Sequence, residues 1–232
     1  MMRADCEIVA GKSGGQMQYE LIVFDWDGTL IDSAGAIVAS MQAACRDLGQ
    51  PEPTRERASH VIGLGLRDAL AIVAPDLPDS DYGRLVDRYR FHFLSRDASL
   101  PLFDGVREML AELEANGHML AIATGKSHAG LQRALEQTGI RSHFVATRCA
   151  DRCAPKPAPD MLHELMRELS GEPGSTLMIG DTSHDLEMAA NAGVPAVAVS
   201  YGAHPRDKLV PFSPVALVDR LEDLRPWLRS NA

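Results

Sequence analysis

Lysine is scarce in this chain: Lys12, Lys126, Lys156 and Lys208 stand against nineteen arginines, and residues 33–103 contain none. Basic charge as a whole is short, with 23 Lys and Arg against 32 Asp and Glu, a formal charge of -9 and a pI near 5.3. That balance argues against nucleic acid or an anionic membrane as the main partner, because both need a basic face. No apolar run approaches the roughly 20 residues that span a bilayer. The opening "MMRADCEIVAGKSGGQMQYE" has neither the continuous apolar core nor the small-residue cleavage signal of a secretory leader. Cysteine is sparse too. Cys6, Cys45, Cys149 and Cys153 are too scattered for a disulfide framework, and Cys149 and Cys153 lie outside CxxC spacing. They read as reduced structural thiols, and the expected address is cytoplasmic. Residues 1–18 are expected to form a disordered tail, with Met17 an alternative start.

What the chain does have is 232 residues, 45% of them hydrophobic, enough for one large core and a smaller satellite. Short apolar runs predict buried strands at 21–24, 119–123, 143–147, 176–179 and 195–200, with a further one at 215–218. Between them, helical spacing covers 104–117, 127–139, 158–171 and 183–193, each stretch ending at or near glycine. Alternating strand and helix predicts an α/β fold, a parallel sheet with helices on both faces. The alternation breaks once. Some seventy residues after the first strand are helical without a strand, so 33–103 is expected to be an all-helical insertion. The core is then 19–32 and 104–232, with Gly35 and Gly105 as expected hinges.

In an open parallel sheet, ligands bind beyond the carboxyl ends of the strands. The residues found there are polar. Strand one runs through "ELIVFDWDGTL" into Asp25 and Asp27, whose i, i+2 spacing points both carboxylates the same way. Asp27-Gly28 is also a strong hairpin signal, which would make both acids solvated turn residues. Strand two ends in Thr124-Gly125-Lys126-Ser127. This lacks the earlier glycine of a P-loop, since Leu120 stands in its place, and it also suits a plain turn with Ser127 as helix cap. Strand three leads to Lys156, clamped between Pro155 and Pro157. Strand four leads to "GDTSHD", where Asp181 and Asp185 are candidate ligands, or a turn acid and a capping-box partner of Thr182. Three acids, a lysine and a hydroxyl suit a hard cation and a phosphoryl group: carboxylates hold Mg²⁺, while Lys156 and Thr124 hold phosphate oxygens. A neutralised phosphate can be attacked by one carboxylate while its neighbour serves as acid and base.

With those residues in this order, the chain resembles the haloacid dehalogenase superfamily, in particular its phosphoglycolate phosphatase-like members with a helical cap. The signatures are "DWDGTL" (25–30), "ATG" (123–125), "KPAPD" (156–160) and "MIGDTSHDLEMAANAG" (178–193), and the likeness spans residues 20–225. It implies a Rossmann-like parallel core with a helical cap over 33–103, and a Mg²⁺-dependent phosphatase that hydrolyses a small phosphate monoester through a phospho-aspartate. Asp25 is then nucleophile and metal ligand, and Asp27 general acid/base and ligand through its carbonyl. Thr124 and Gly125 bind the phosphoryl group, Lys156 stabilises its charge, Asp181 completes the metal site, and Asp185 positions a water or Lys156.

Relatives on such a scaffold run other reactions. Metal-free dehalogenation disagrees with intact Asp27 and Asp181, and Schiff-base phosphonate cleavage disagrees with the lysine-free insertion. A sugar phosphomutase remains open, with Arg67 able to hold a second phosphate. A phospho-aspartate receiver module is a remoter alternative from a different class, set back by the helical insertion. Arg67, Arg88, Arg90 and Arg96 are the candidates for binding the rest of a small phosphorylated metabolite, and the chain is expected to be a monomer or weak dimer.

Overall fold

The computed structural model describes residues 18–97 and 100–232, so the tail expected over 1–18 lies outside the described residues except for Gln18. Among the described residues six strands form one sheet: β1 (Leu21–Phe24), β2 (Met119–Thr124), β3 (Ala146–Cys149), β4 (Thr176–Gly180), β5 (Ala196–Val199) and β6 (Ala216–Val218). Their order is β3-β2-β1-β4-β5-β6, and every pairing is parallel. β1 is central, and all four of its residues are fully buried, the continuous apolar run that a strand covered on both faces requires.

After β1 come α1 (Ala34–Asp47), α2 (Arg55–His60), α3 (Leu66–Val73) and α4 (Tyr82–Asp97). The remaining helices are α5 (Val106–Ala115), α6 (His128–Thr138), α7 (Asp160–Leu169), α8 (Ser183–Asn191), α9 (Arg206–Leu209) and α10 (Leu221–Asn231). Alternation along β1 sorts them into layers. Ile22 and Phe24 pack with Met109, Leu131 and Leu224 of α5, α6 and α10. Leu21 and Val23 face Met161, Leu186 and Leu209 of α7, α8 and α9. Trp26 follows Phe24 into the first layer, leaving Asp25 and Asp27 to turn the other way.

One strand is displaced from its expected place. The run 143–147 is not the third strand: residues 141–143 wind into a 3₁₀ turn, Phe144 sinks into the core, and the strand is Ala146–Cys149. β3 is a sheet edge, where a polar residue is tolerated. Its Arg148 reaches α7, with contacts of 2.6 Å to Glu164 and 2.5 Å to Glu168.

The helical block after β1 has a core of its own, built from Val38 and Met41 of α1, Ala58 of α2, Leu70 of α3 and Leu85 and Phe93 of α4. Gly35 lies inside the first turn of α1, while Gly105 takes a left-handed φ of 90° before α5. The two chain crossings pair with each other: Ile31 bridges Leu102, Asp32 N–H donates to the Pro101 carbonyl at 3.0 Å, and Phe103 N–H donates to the Leu30 carbonyl at 3.1 Å. No helix among the described residues is long and apolar enough to cross a membrane.

Candidate active site

The turn after β1 places the first acids. Gly28, at φ 87°, reverses the chain so that its N–H reaches the Ile31 carbonyl. It also leaves room, since a Cβ there would lie 2.2 Å from Asp181 Oδ2. The turn chemistry of Asp-Gly is therefore real, yet no hairpin follows, and Asp25 and Asp27 are 1% and 7% exposed rather than solvated.

Behind them lies a fully buried ion cluster. Lys156 Nζ donates to Asp25 Oδ1 and to Asp185 Oδ1, both at 2.5 Å. Asp185 Oδ2 accepts from the Thr182 N–H at 3.0 Å and its hydroxyl at 2.7 Å, closing the capping box of α8. Asp181 accepts from Thr29 Oγ1 at 2.8 Å and from the Ala203 N–H at 2.7 Å. Asp27 Oδ1 accepts from Ser33 Oγ at 2.7 Å and Lys126 Nζ at 3.1 Å. Thr124 is buried at the end of β2, and Ser127 caps α6 by accepting the Gly130 N–H. The capping roles expected for Ser127 and for Thr182 with Asp185 are thus present, and Asp185 takes part in the ion cluster as well.

A divalent cation fits this donor set. Carboxylate oxygens of Asp25, Asp181 and Asp185 lie within 4.8 Å of one another, and Asp25 Oδ2 is buried with no hydrogen-bond partner. Three carboxylates beside one ammonium leave two negative charges unanswered, an all-oxygen, doubly anionic site that suits a hard divalent cation. Electrostatics agree. Burial raises the Asp25 carboxyl well above its usual range, opposed by Lys156 and reinforced by Asp185 and Asp181. Burial, then Asp185, pushes Asp181 up to about 7. Lys156 moves up as well: burial would depress it, but Asp185 and Asp25 outweigh that and keep it firmly charged.

A pH dependence follows. Folded Asp181 keeps a proton that the unfolded chain loses near the ordinary 3.8, so its contribution to the metal-free fold is lost as pH rises from there to about 7. Burial lowers His184, and His204 to about 4, which works the opposite way over much of that range, so the Asp181 contribution is read against Asp181→Asn. Without metal, the melting temperature of the parent is expected to fall relative to that variant as pH rises; a parent that gains on the variant would contradict the raised carboxyl.

Above the acids a cavity of about 750 Å³ separates the sheet from the helical block. Asp25, Asp27, Thr124 and Gly125 line its floor, and Arg67 and Arg90 line the helical side. Arg88 does not reach it, being held by Asp47 at 2.5 Å and stacked over Phe91, and Arg96 donates to the His92 carbonyl. Two cations beyond the sequence expectations reach the cavity. Lys126 pairs with Asp27 and lies 4.4 Å over the Phe93 ring, and Arg133 of α6 pairs with Asp97 at 3.1 Å. The rarity of lysine was the available signal for Lys126; Arg133 carried none.

A family model described as haloacid dehalogenase-like hydrolase matches residues 22–199. A probable phosphatase IndB of Dickeya dadantii is 38% identical over 88% of this chain and 91% of its own length. A phosphoglycolate phosphatase of Agrobacterium fabrum is 31% identical over 90% of this chain and 91% of its own. Among solved structures, a predicted phosphoglycolate phosphatase from Haemophilus somnus superposes with a TM-score of 0.83 at 26% identity, covering 92% of this chain and 99% of that one. A family match across most of the sheet and the helical block, joined to phosphatase relatives covered over nine-tenths of their length, shows the family: this chain belongs to the haloacid dehalogenase-like hydrolases and is a phosphoric monoester hydrolase.

Proposed function

We propose that the chain is a Mg²⁺-dependent phosphatase that hydrolyses a small phosphate monoester, phosphoglycolate-like in carrying a second anionic group, by way of a phosphorylated Asp25. The observation that carries this reading is the pairing of Asp25, one oxygen on Lys156 and the other buried without a partner, with Asp27 on the same cavity floor. Asp25 attacks phosphorus, and the bond to the leaving oxygen breaks. Asp27 gives that oxygen its proton, then takes one from the water that attacks phosphorus, so phosphate leaves and Asp25 returns to a carboxylate. Thr124 and the Gly125 backbone hold the transferring group, and Lys156 neutralises charge on Asp25 and phosphate. Asp25, Asp181 and the Asp27 carbonyl would hold Mg²⁺, with Asp185 positioning a water or Lys156, and the ion would supply countercharge to the phosphoryl oxygens.

The helical block acts as a cap that excludes water, and Arg67 and Arg90 meet the second anionic group. The cavity, within the range of about 300–1,000 Å³ typical of sites for larger organic ligands, accommodates more than a two-carbon acid. The chain works in the cytoplasm as a monomer or weak dimer.

Phosphate release from para-nitrophenyl phosphate and a panel of small monoesters, with Mg²⁺ and with EDTA, tests the reading. Turnover is expected with Mg²⁺, lost in EDTA and restored by excess Mg²⁺. Equal rates in EDTA would remove the metal. If phosphate moves between positions of a sugar bisphosphate without release, the chain is a mutase, a reading that Arg67 on the cavity wall favours.

A further inference from the structure

Three histidines meet where the helical block rests on the sheet domain. His60 ends α2, His184 lies in the first turn of α8, and His204 follows β5; their rings stand 5.4–5.5 Å apart, centroid to centroid. No step above uses them. His184 Nε2 lies 2.8 Å from the His60 carbonyl oxygen, and His204 Nε2 lies 3.1 Å from that same oxygen. A carbonyl only accepts, so both Nε2 atoms carry the hydrogen. For His204 the tautomer is set from the other side as well, because its Nδ1 accepts the Ser183 N–H at 3.0 Å. Both sheet-domain imidazoles are largely buried, and His60 is exposed.

The carbonyl they hold is one of the last of a helix, which have no partner within it. From there residues 61–65 run along the cavity, and all five line it. The fit is close. A Cβ on Gly63 would lie 3.0 Å from Thr182 Oγ1, and one on Gly125 would lie 2.5 Å from the carbonyl oxygens of both Gly63 and Leu64. Among the described residues the block is tied covalently only at the paired crossings, Leu30–Asp32 and Pro101–Phe103, which leave the 61–65 segment dependent on non-covalent contacts.

We propose that His184 and His204 are positioning residues, whose two Nε2–H groups grip the His60 carbonyl and hold segment 61–65 over the Asp25 end of the cavity. Two donors on one oxygen give the segment a defined resting place, and misplacing a wall of the site by about 1 Å can lower turnover a hundredfold. The activity arm of the test rests on the proposed phosphatase reaction; the structural arm does not.

The full chain is compared with His184→Leu, His184→Gln and His204→Phe by hydrogen exchange and by turnover of para-nitrophenyl phosphate in saturating Mg²⁺. Glutamine keeps an N–H near the Nε2 position, so it separates the lost donor from lost packing. In the Leu and Phe variants, exchange is expected to rise at 61–66 without spreading to β1 and β4. Their kcat is expected to fall at least about tenfold with a smaller change in KM. His184→Gln should recover most of both. Unchanged exchange at 61–66 would overturn the grip, and raised exchange with kcat intact would overturn the positioning role. Should the phosphatase reading itself fail, no variant turns over, yet the exchange pattern still decides the grip. Unfolding of the Phe variant would show as exchange across the sheet, leaving the two His184 variants to decide.

Discussion

Replacing Asp25 by Asn is expected to lower phosphate release by at least about ten-thousandfold, the scale on which loss of a nucleophile falls, while the protein melts no lower than before. The reasoning rests on charge. Asn keeps the shape and still offers an oxygen to Lys156, but it removes one of three buried carboxylates that share a single ammonium. Burial already disfavours the Asp25 anion without a cation, so a neutral amide suits the metal-free fold at least as well. It cannot attack phosphorus at a useful rate. Initial rates in Mg²⁺ together with a melting curve in EDTA check both halves. Retained turnover would mean that another group attacks, and a large fall in melting would mean that the Asp25 anion stabilises the fold.

Lys156→Met is expected to lose both activity and stability. Its side chain is fully buried, and its ammonium is the only cation in contact with Asp25 and Asp185 among the described residues. Removing one partner from a buried ion cluster costs about 3–5 kcal/mol, because the other charges stay behind uncompensated. At roughly 2–4 °C per kcal/mol for a chain of this size, the melting temperature should fall by about 6–20 °C. The double variant Lys156→Met with Asp185→Asn separates the two losses. Removing the stranded carboxylate should return part of the stability and none of the turnover, and the non-additivity of the double-mutant cycle measures the coupling. Additive losses would mean that Lys156 and Asp185 act independently despite their 2.5 Å contact.

Much of this arrangement could be read from residues alone because parallel sheets write themselves plainly. β1, β2 and β4 are buried on both faces, so they appear as uninterrupted apolar runs, and the polar residues that end them mark the site. β3 was misplaced by three residues at its start because it lies on an edge. Thr147 and Arg148 break the apolar signal there, and the true run, Phe144 and Val145, belongs partly to a turn. The pairing of Lys156 with Asp25 spans 131 residues, and only the parallel order brings the two together. What stayed hidden depends on direction in space. Arg67, Arg88, Arg90 and Arg96 are equivalent as letters, yet only Arg67 and Arg90 line the cavity. Likewise, nothing in the spacing of His60, His184 and His204 hinted that three distant loops and helix ends converge.

The paired crossings carry a consequence for how such a chain can be recombined. Because entry and exit run side by side, with Ile31 bridged to Leu102, the helical block leaves and rejoins the sheet domain at nearly one point. A segment bounded this way is a cassette: its ends are already adjacent, so exchanging it leaves the order and register of the six strands untouched. Its interior can also drift without disturbing them, since Val38, Leu70 and Leu85 pack among themselves rather than against β1. On the proposed reading, with Asp25 and Asp27 at a strand end and Arg67 and Arg90 on the exchangeable block, the reaction and the choice of substrate would lie on separate pieces of one polypeptide, and the second could be traded without the first.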